Sequence, residues 1–133
     1  MKPIQNLYLV DDDDIYVFLT RKMIAETHMA NHIEVFNNGQ DALDFLSGTK
    51  DQTLLPEIIF LDLFMPVMDG WEFLEEFALL KPKLNKKITI YVTSSSISPH
   101  DMLRAKSISD VTDYVIKPIT KEMFLELLRN LAA

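Results

Sequence analysis

Residues 58–70 read Ile58-Ile59-Phe60-Leu61-Asp62-Leu63-Phe64-Met65-Pro66-Val67-Met68-Asp69-Gly70. Four consecutive apolar residues without polar alternation describe a strand covered on both faces, because a half-solvated strand is apolar only at every second position. The run stops at an acid. Pro66 and Asp69-Gly70 then supply turn chemistry, and Trp71, Leu74, Phe77 and Ala78 recur at helical spacing. Strand, loop and helix in that order make one βα unit.

Working outward, the same unit repeats. Leu7 to Val10, Ile33 to Phe36, Ile88 to Val92 and Tyr114 to Ile116 are apolar runs like Ile58 to Leu61, which predicts five strands. Between them, Ile15, Phe18, Leu19, Met23 and Ile24 predict the apolar stripe of a first helix, and Ala42, Leu43, Phe45 and Leu46 that of a short second one. Ser98 is placed to cap the fourth helix, with Pro99 at its first position and Asp101 in its first turn. Thr120 is placed to cap the fifth, whose stripe is Met123, Phe124, Leu127, Leu128 and Leu131. The pattern is α/β: a (βα)5 doubly wound, five-stranded parallel sheet with right-handed crossovers. Gly48 to Thr53 and the lysine-rich Lys81 to Lys87 read as solvated loops.

Composition narrows the function classes. The chain has 133 residues, with 13 Lys and Arg against 20 Asp and Glu, for a formal charge of −7. That length predicts a single domain over residues 1–133 with no output domain. The acidic balance opposes a nucleic-acid backbone as ligand. With no cysteine, disulfide scaffolds, thiolate zinc sites and thiol nucleophiles are excluded. Only Gly39, Gly48 and Gly70 occur, so neither G-x-G-x-x-G nor G-x-x-x-x-G-K can be built. No membrane span or signal peptide is legible, and the expected location is the cytoplasm.

Ligands of an open parallel sheet bind beyond the carboxyl ends of its strands. The first strand is followed there by Asp11, Asp12, Asp13 and Asp14, the third by Asp62, the fourth by Thr93 to Ser96 and the fifth by Lys117 and Pro118. If the first and third strands are neighbours, Asp11, Asp12 and Asp62 converge and raise one another's pKa unless a cation intervenes. Mg²⁺ suits such an oxygen-only set. With a metal bound, Lys117 and the Thr93 hydroxyl can address an anion, which is a recurring kit for phosphoryl transfer, and a carboxylate can serve as acceptor.

Val10-Asp11-Asp12, Phe60 through Gly70, Val92-Thr93-Ser94 and Tyr114-Val115-Ile116-Lys117-Pro118 together resemble the receiver domain of two-component response regulators, in order and along essentially the whole chain. The resemblance implies a flavodoxin-like strand order of 2-1-3-4-5 and a cis Lys117-Pro118 bond. It implies Asp62 as phosphoacceptor, Asp11 and Asp12 with the Phe64 backbone carbonyl as Mg²⁺ ligands beside Asp62, Thr93 and Lys117 at the phosphoryl group, and Thr93 with Tyr114 as the switch. It further implies a stand-alone, chemotaxis-regulator-like protein that is not an enzyme in its own right. Its expected partners are a histidine kinase or histidine phosphotransfer protein, and a downstream protein at the fourth helix, fifth strand and fifth helix, or a phosphorylation-dependent homodimer. Two alternatives remain: a pseudo-receiver interaction module, and an aspartate-nucleophile phosphatase of haloacid-dehalogenase type, which wants a second Asp where Phe64 stands.

Other residues carry plainer readings. Asp13 and Asp14 read as helix-start residues, Asp14 as the N-cap, and Asp69-Gly70 as a turn. Ser94 to Ser96 read as loop, with Ser94 the substitute should Thr93 point inward. His28, His32 and His100 lack carboxylate partners at ligand spacing, and the seven methionines read as core filler. Two positions depart from the family pattern: Phe64, where relatives often carry a polar residue, and Ser95, where they carry an acid or amide. Both flank the path of a hydrolytic water, so a long-lived phosphorylated state is expected if the Phe64 ring covers the acceptor, and a partner contact if it points away.

Overall fold

A computed structural model describes residues 2–132. Five parallel strands, β1 (Ile4–Val10), β2 (Ala30–Phe36), β3 (Ile58–Asp62), β4 (Thr89–Ser94) and β5 (Val111–Ile116), alternate with helices α1 (Asp14–Thr27), α2 (Gly39–Gly48), α3 (Gly70–Leu80), α4 (Pro99–Lys106) and α5 (Lys121–Ala132). The strand order is β2-β1-β3-β4-β5. Apart from Ile88, each apolar run of the sequence falls in a strand, and most strands are longer than the runs because their polar ends still pair. Ile88 lies just outside β4, whereas Thr93 and Ser94 lie inside it and Asp62 closes β3.

Alternation along the strands builds two cores. Tyr8, Val10, Ile59, Leu61, Ile90, Val92 and Tyr114 face α2, α3 and α4, while Leu7, Leu9, Ile58, Phe60, Tyr91 and Val115 face α1 and α5. All of β3 is buried, as a strand flanked on both edges and covered on both faces must be. Phe60 carries the second core, with ring centroids 5.8 Å from Tyr91 and 6.2 Å from Phe124.

The helices correct the sequence reading in four places. In α1 the buried residues are Val17, Thr20 and Ile24, while Ile15, Phe18 and Leu19 are 75%, 67% and 58% exposed. Residues 15–19 are apolar or aromatic throughout, so their spacing leaves the phase of the helix open, and the exit angle of the chain from Asp11 sets it. The N-cap is Asp13, not Asp14: its carboxylate accepts from the N–H groups of Ile15 and Tyr16. In α3 Phe73 is buried and Ala78 exposed, and in α5 Met123 lies at the rim while Phe124 and Leu128 are buried. The two loops are tied down. Gln52–Leu54 and Lys81–Lys83 form single 3₁₀ turns, Lys81 pairs with Asp110 at 2.7 Å, and Lys86 donates to the Leu55 carbonyl at 3.0 Å. The expected caps at Ser98 and Thr120 are present.

Gly70 shows how closely α3 returns onto β3. Its N–H donates to the Leu63 carbonyl at 2.8 Å, and a Cβ there would stand 2.4 Å from the Asp62 carbonyl oxygen and 2.8 Å from Leu63 Cα. Both obstacles are backbone and cannot rotate away. Gly70→Ala is therefore expected to cost about 3 kcal/mol in denaturant unfolding. Gly48→Ala, at a helical position with open space around it, is expected to gain about 0.5 kcal/mol from the less free unfolded chain. Equal midpoints for the two variants would contradict this account of the turn.

Candidate functional site: an acidic cluster with one ammonium

Because β1 and β3 are hydrogen-bonded neighbours, with Val10 opposite Leu61, the residues that end them meet at one edge of the sheet. Asp11, Asp12 and Asp62 each offer a carboxylate oxygen within 4.8 Å of the others. Asp11 and Asp62 are buried and Asp12 is exposed, so the cluster opens to solvent on one side. Each buried carboxylate is oriented by backbone: Asp11 Oδ1 accepts from Asp13 N–H and Asp62 Oδ1 from Leu63 N–H, both at 2.9 Å.

Lys117, just past β5, reaches across this edge. Its Nζ lies 2.7 Å from Asp11 Oδ2 and 3.4 Å from Asp62 Oδ1. The Lys117-Pro118 peptide is cis, as the resemblance implied. Thr93 pairs in register with Asp62 on one side and Val115 on the other, which sets its side chain beside the acid at the next strand end. Phe64 follows in the β3–α3 loop and is 56% exposed. That loop ends in a capping box: Asp69 accepts from Glu72 N–H at 2.9 Å, and Glu72 accepts from Asp69 N–H at 3.2 Å.

Tyr114 is buried, and its hydroxyl donates to the Ser96 carbonyl at 2.9 Å. Ser96 gathers the β4–α4 loop: its N–H donates to Ser94 Oγ at 3.0 Å, its hydroxyl donates to Asp101 at 2.8 Å, and its Oγ accepts from Ser98 N–H at 3.2 Å. Ser94 is thus buried in the strand and engaged by the loop, not a free loop hydroxyl. His32 does have a carboxylate neighbour, Glu34 at 2.7 Å, because alternate residues of a strand share a face. Among the described residues, the acidic cluster is nevertheless the one group of three or more potential metal ligands.

The electrostatics follow from burial. Desolvation, reinforced by the charge of Asp11, pushes Asp62 up to about 6. Desolvation also raises Asp11, with its Lys117 contacts only partly opposing. Burial alone would lower Lys117, but its hydrogen bond to Asp11 and the charges of Asp11 and Asp62 outweigh that and raise it. Asp11 Oδ2 is buried without a well-directed hydrogen bond. Three carboxylates against one ammonium leave the site short of positive charge, and an all-oxygen donor set of this kind fits Mg²⁺. What sequence reasoning missed is Tyr16, whose ring lies 4.5 Å from Lys117 Nζ; no motif marks it.

The raised pKa of Asp62 has a consequence for folding. In the unfolded chain an aspartate titrates near 3.9. Between there and about 6 the folded state keeps a proton that the unfolded state has released, so stability falls as pH rises through that window and levels above it. Without divalent metal, Asp62→Asn is expected to match wild type at pH 4 and to exceed it by about 2 kcal/mol at pH 8. Urea titrations at the two pH values check this, and a variant no more stable at pH 8 than wild type contradicts it.

Among the described residues no helix is long and apolar enough to cross a membrane. Residues 7–129 match the family model of the response regulator receiver domain. The probable methanogenesis regulatory protein FilR2 of Methanothrix harundinacea is 30% identical over 120 residues, which cover 87% of this chain and 74% of that protein. Hybrid signal transduction histidine kinase I of Dictyostelium discoideum is 24% identical over 126 residues, 95% of this chain but 7% of the kinase. Among solved structures, a two-component response regulator from Cytophaga hutchinsonii has a TM-score of 0.84 at 32% identity, with 98% of each chain covered. A family match running from the first strand to the last helix, over a fold shared with a solved relative along its whole length, means that this chain belongs to the response regulator receiver domains.

Proposed function

We propose that Asp62 accepts a phosphoryl group from the phosphohistidine of a histidine kinase or histidine phosphotransfer protein in the cytoplasm, and that the resulting acyl phosphate alters the surface formed by α4, β5 and α5. The observation that carries this reading is the buried pair Asp62 and Asp11 with the half-buried Lys117 between them at the sheet edge. At neutral pH Asp62 is a carboxylate poorly served by solvent, and such an oxygen can attack phosphorus in line. The new bond joins phosphorus to a carboxylate oxygen. The bond that breaks is phosphorus to imidazole nitrogen, and the ring keeps the electron pair and takes up a proton. In this reading Lys117 and the Thr93 hydroxyl meet the negative oxygens of the transferred group. Asp11, Asp12 and Asp62, with the Phe64 carbonyl, would hold Mg²⁺, which when bound neutralises phosphoryl charge.

Phosphorylation then acts by favouring one of two arrangements of the β4–α4 loop, with Thr93 and Tyr114 as its contacts. A groove beside Tyr114, floored by Ile116, Met123 and Leu127, offers a downstream protein or a second copy a place on that face. The phosphatase reading lacks its acid, because Phe64 occupies the place where that class needs one.

With Mg²⁺ and acetyl phosphate, wild type is expected to incorporate about one phosphate per chain, labile to base, and Asp62→Asn none. Incorporation at the wild-type rate by that variant would sink the assignment. Asp12→Ala is expected to weaken Mg²⁺ binding and to slow incorporation at least tenfold, whereas Asp14→Ala, on the first turn of α1 and outside the cluster, leaves both unchanged. Phe64→Asn is expected to shorten the adduct's half-life by roughly tenfold, the equivalent of about 1.4 kcal/mol of barrier, by giving the attacking water an orienting partner. Equal decay rates would assign Phe64 to a partner surface instead.

A further inference from the structure

Tyr16 has no part in the reading above, yet it touches the one cation of the site. Its backbone N–H is held by the Asp13 cap at 3.0 Å, so the helix start that follows the acidic run also fixes the position of its side chain. The Lys117 ammonium lies 4.5 Å from the ring centroid, within the range in which the negative face of an aromatic ring attracts a cation. The Tyr16 hydroxyl is buried near the Thr20 side chain and the Ile119 backbone, without a well-aligned hydrogen bond to either. Neither neighbour belongs to the acidic cluster, so the part of this side chain that faces the site is the ring.

Lys117 needs such a contact. A lysine carries a compact charge on a flexible four-carbon stem and does not hold one position by itself. Its other partners are Asp11 and Asp62, and both change in the proposed reaction. On becoming an acyl phosphate Asp62 gives up its carboxylate charge and the phosphoryl oxygens, farther out, carry charge instead, while Asp11 is shared with any cation in the acidic cluster. The ring face changes in neither event. We propose that Tyr16 is a positioning residue for Lys117, its ring holding the ammonium at the acceptor while the carboxylates are engaged elsewhere. The proposal rests on the reading of Asp62 as phosphoacceptor.

The test uses the full chain with Tyr16→Leu, Tyr16→Phe and a series in which position 16 carries phenylalanine with one, two or three ring fluorines. These rings are nearly equal in size, but each fluorine weakens the negative face. Tyr16→Phe is expected to incorporate phosphate from acetyl phosphate within about twofold of wild type, Tyr16→Leu roughly tenfold more slowly, and the fluorinated series progressively more slowly with each fluorine. In the metal-free protein, the resonances of the Lys117 side chain next to Nζ are expected at the upfield positions produced by an aromatic face, and to lose that shift in Tyr16→Leu. Thermal midpoints show whether Tyr16→Leu is folded, and the fluorinated series carries the test if it is not. A flat fluorine series, or an unshifted Lys117 in wild type, overturns the role of Tyr16. Absence of any incorporation by wild type overturns the reading of Asp62 itself.

Discussion

Two buried carboxylates share one ammonium at 2.7 Å and 3.4 Å, and the arrangement of the sheet edge follows from what it takes to keep those charges together. A charge removed from water is tolerable only when paired and hydrogen-bonded. Asp11 and Asp62 each take a backbone N–H from the loop that follows them, Asp13 and Leu63 respectively, so the turns after β1 and β3 are part of the electrostatics and not mere connections. Even so the balance stays negative, more so once exposed Asp12 is included. The residual strain is expressed as proton affinity: Asp62 titrates near 6 because burial and Asp11 oppose its ionisation more than Lys117 favours it. A site of three carboxylates and one ammonium, short of two positive charges and open on the Asp12 side, has the charge and donor atoms that suit a divalent cation.

The topology supplies the coincidence. In the order β2-β1-β3-β4-β5, β1 and β3 sit side by side although α1, β2 and α2 separate them in the chain, and β5 ends two strands away from β3. The chain reverses its winding direction between β1 and β3, which opens a crevice at their carboxyl ends. Register then sets depth, with Asp62 opposite Thr93 and Thr93 opposite Val115, so acid, hydroxyl and the strand that delivers Lys117 finish within a residue or two of one another. Gly70 completes the geometry from the other side, since only a residue without Cβ lets α3 begin against the Asp62 carbonyl.

Legibility in the sequence tracked the range of the interaction responsible. Strand interiors and the residues just beyond them were readable because burial on both faces leaves a local mark, and the convergence of Asp11, Asp12 and Asp62 needed only the adjacency of two strands. The face of α1 was not readable. Ile15 through Leu19 are apolar or aromatic at every position, so no period exists to assign a side, and the decision lies in the angle at which the chain leaves β1. Four consecutive aspartates likewise offer several caps, and the choice of Asp13 depends on where helical dihedrals begin, a matter of one residue. Tyr16 was invisible for a different reason: its partner is 101 positions away on β5's far loop, and a tyrosine in an apolar helical stretch looks like packing.

The same edge is joined to α4 by a short chain of hydrogen bonds. The Tyr114 hydroxyl is satisfied by the Ser96 carbonyl, but water outside the fold would serve it almost as well, since exchanging one hydrogen bond for another changes stability by about 1 kcal/mol. Ser96 is in turn joined to Ser94, the residue after Thr93, and to Asp101 of α4, while Arg104 of α4 lies 4.1 Å above the Trp71 ring at the start of α3. A ligand can move an equilibrium only by its difference in affinity for the two states. One new charge-assisted contact at the Thr93 hydroxyl, typically about 1.5–3 kcal/mol, exceeds the exchange of the Tyr114 hydrogen bond and is comparable with the burial of its ring. In the proposed switch the buried position of Tyr114 would be one well of a pair, and the fully buried β3 the frame against which the difference between them becomes a displacement of α4 and β5.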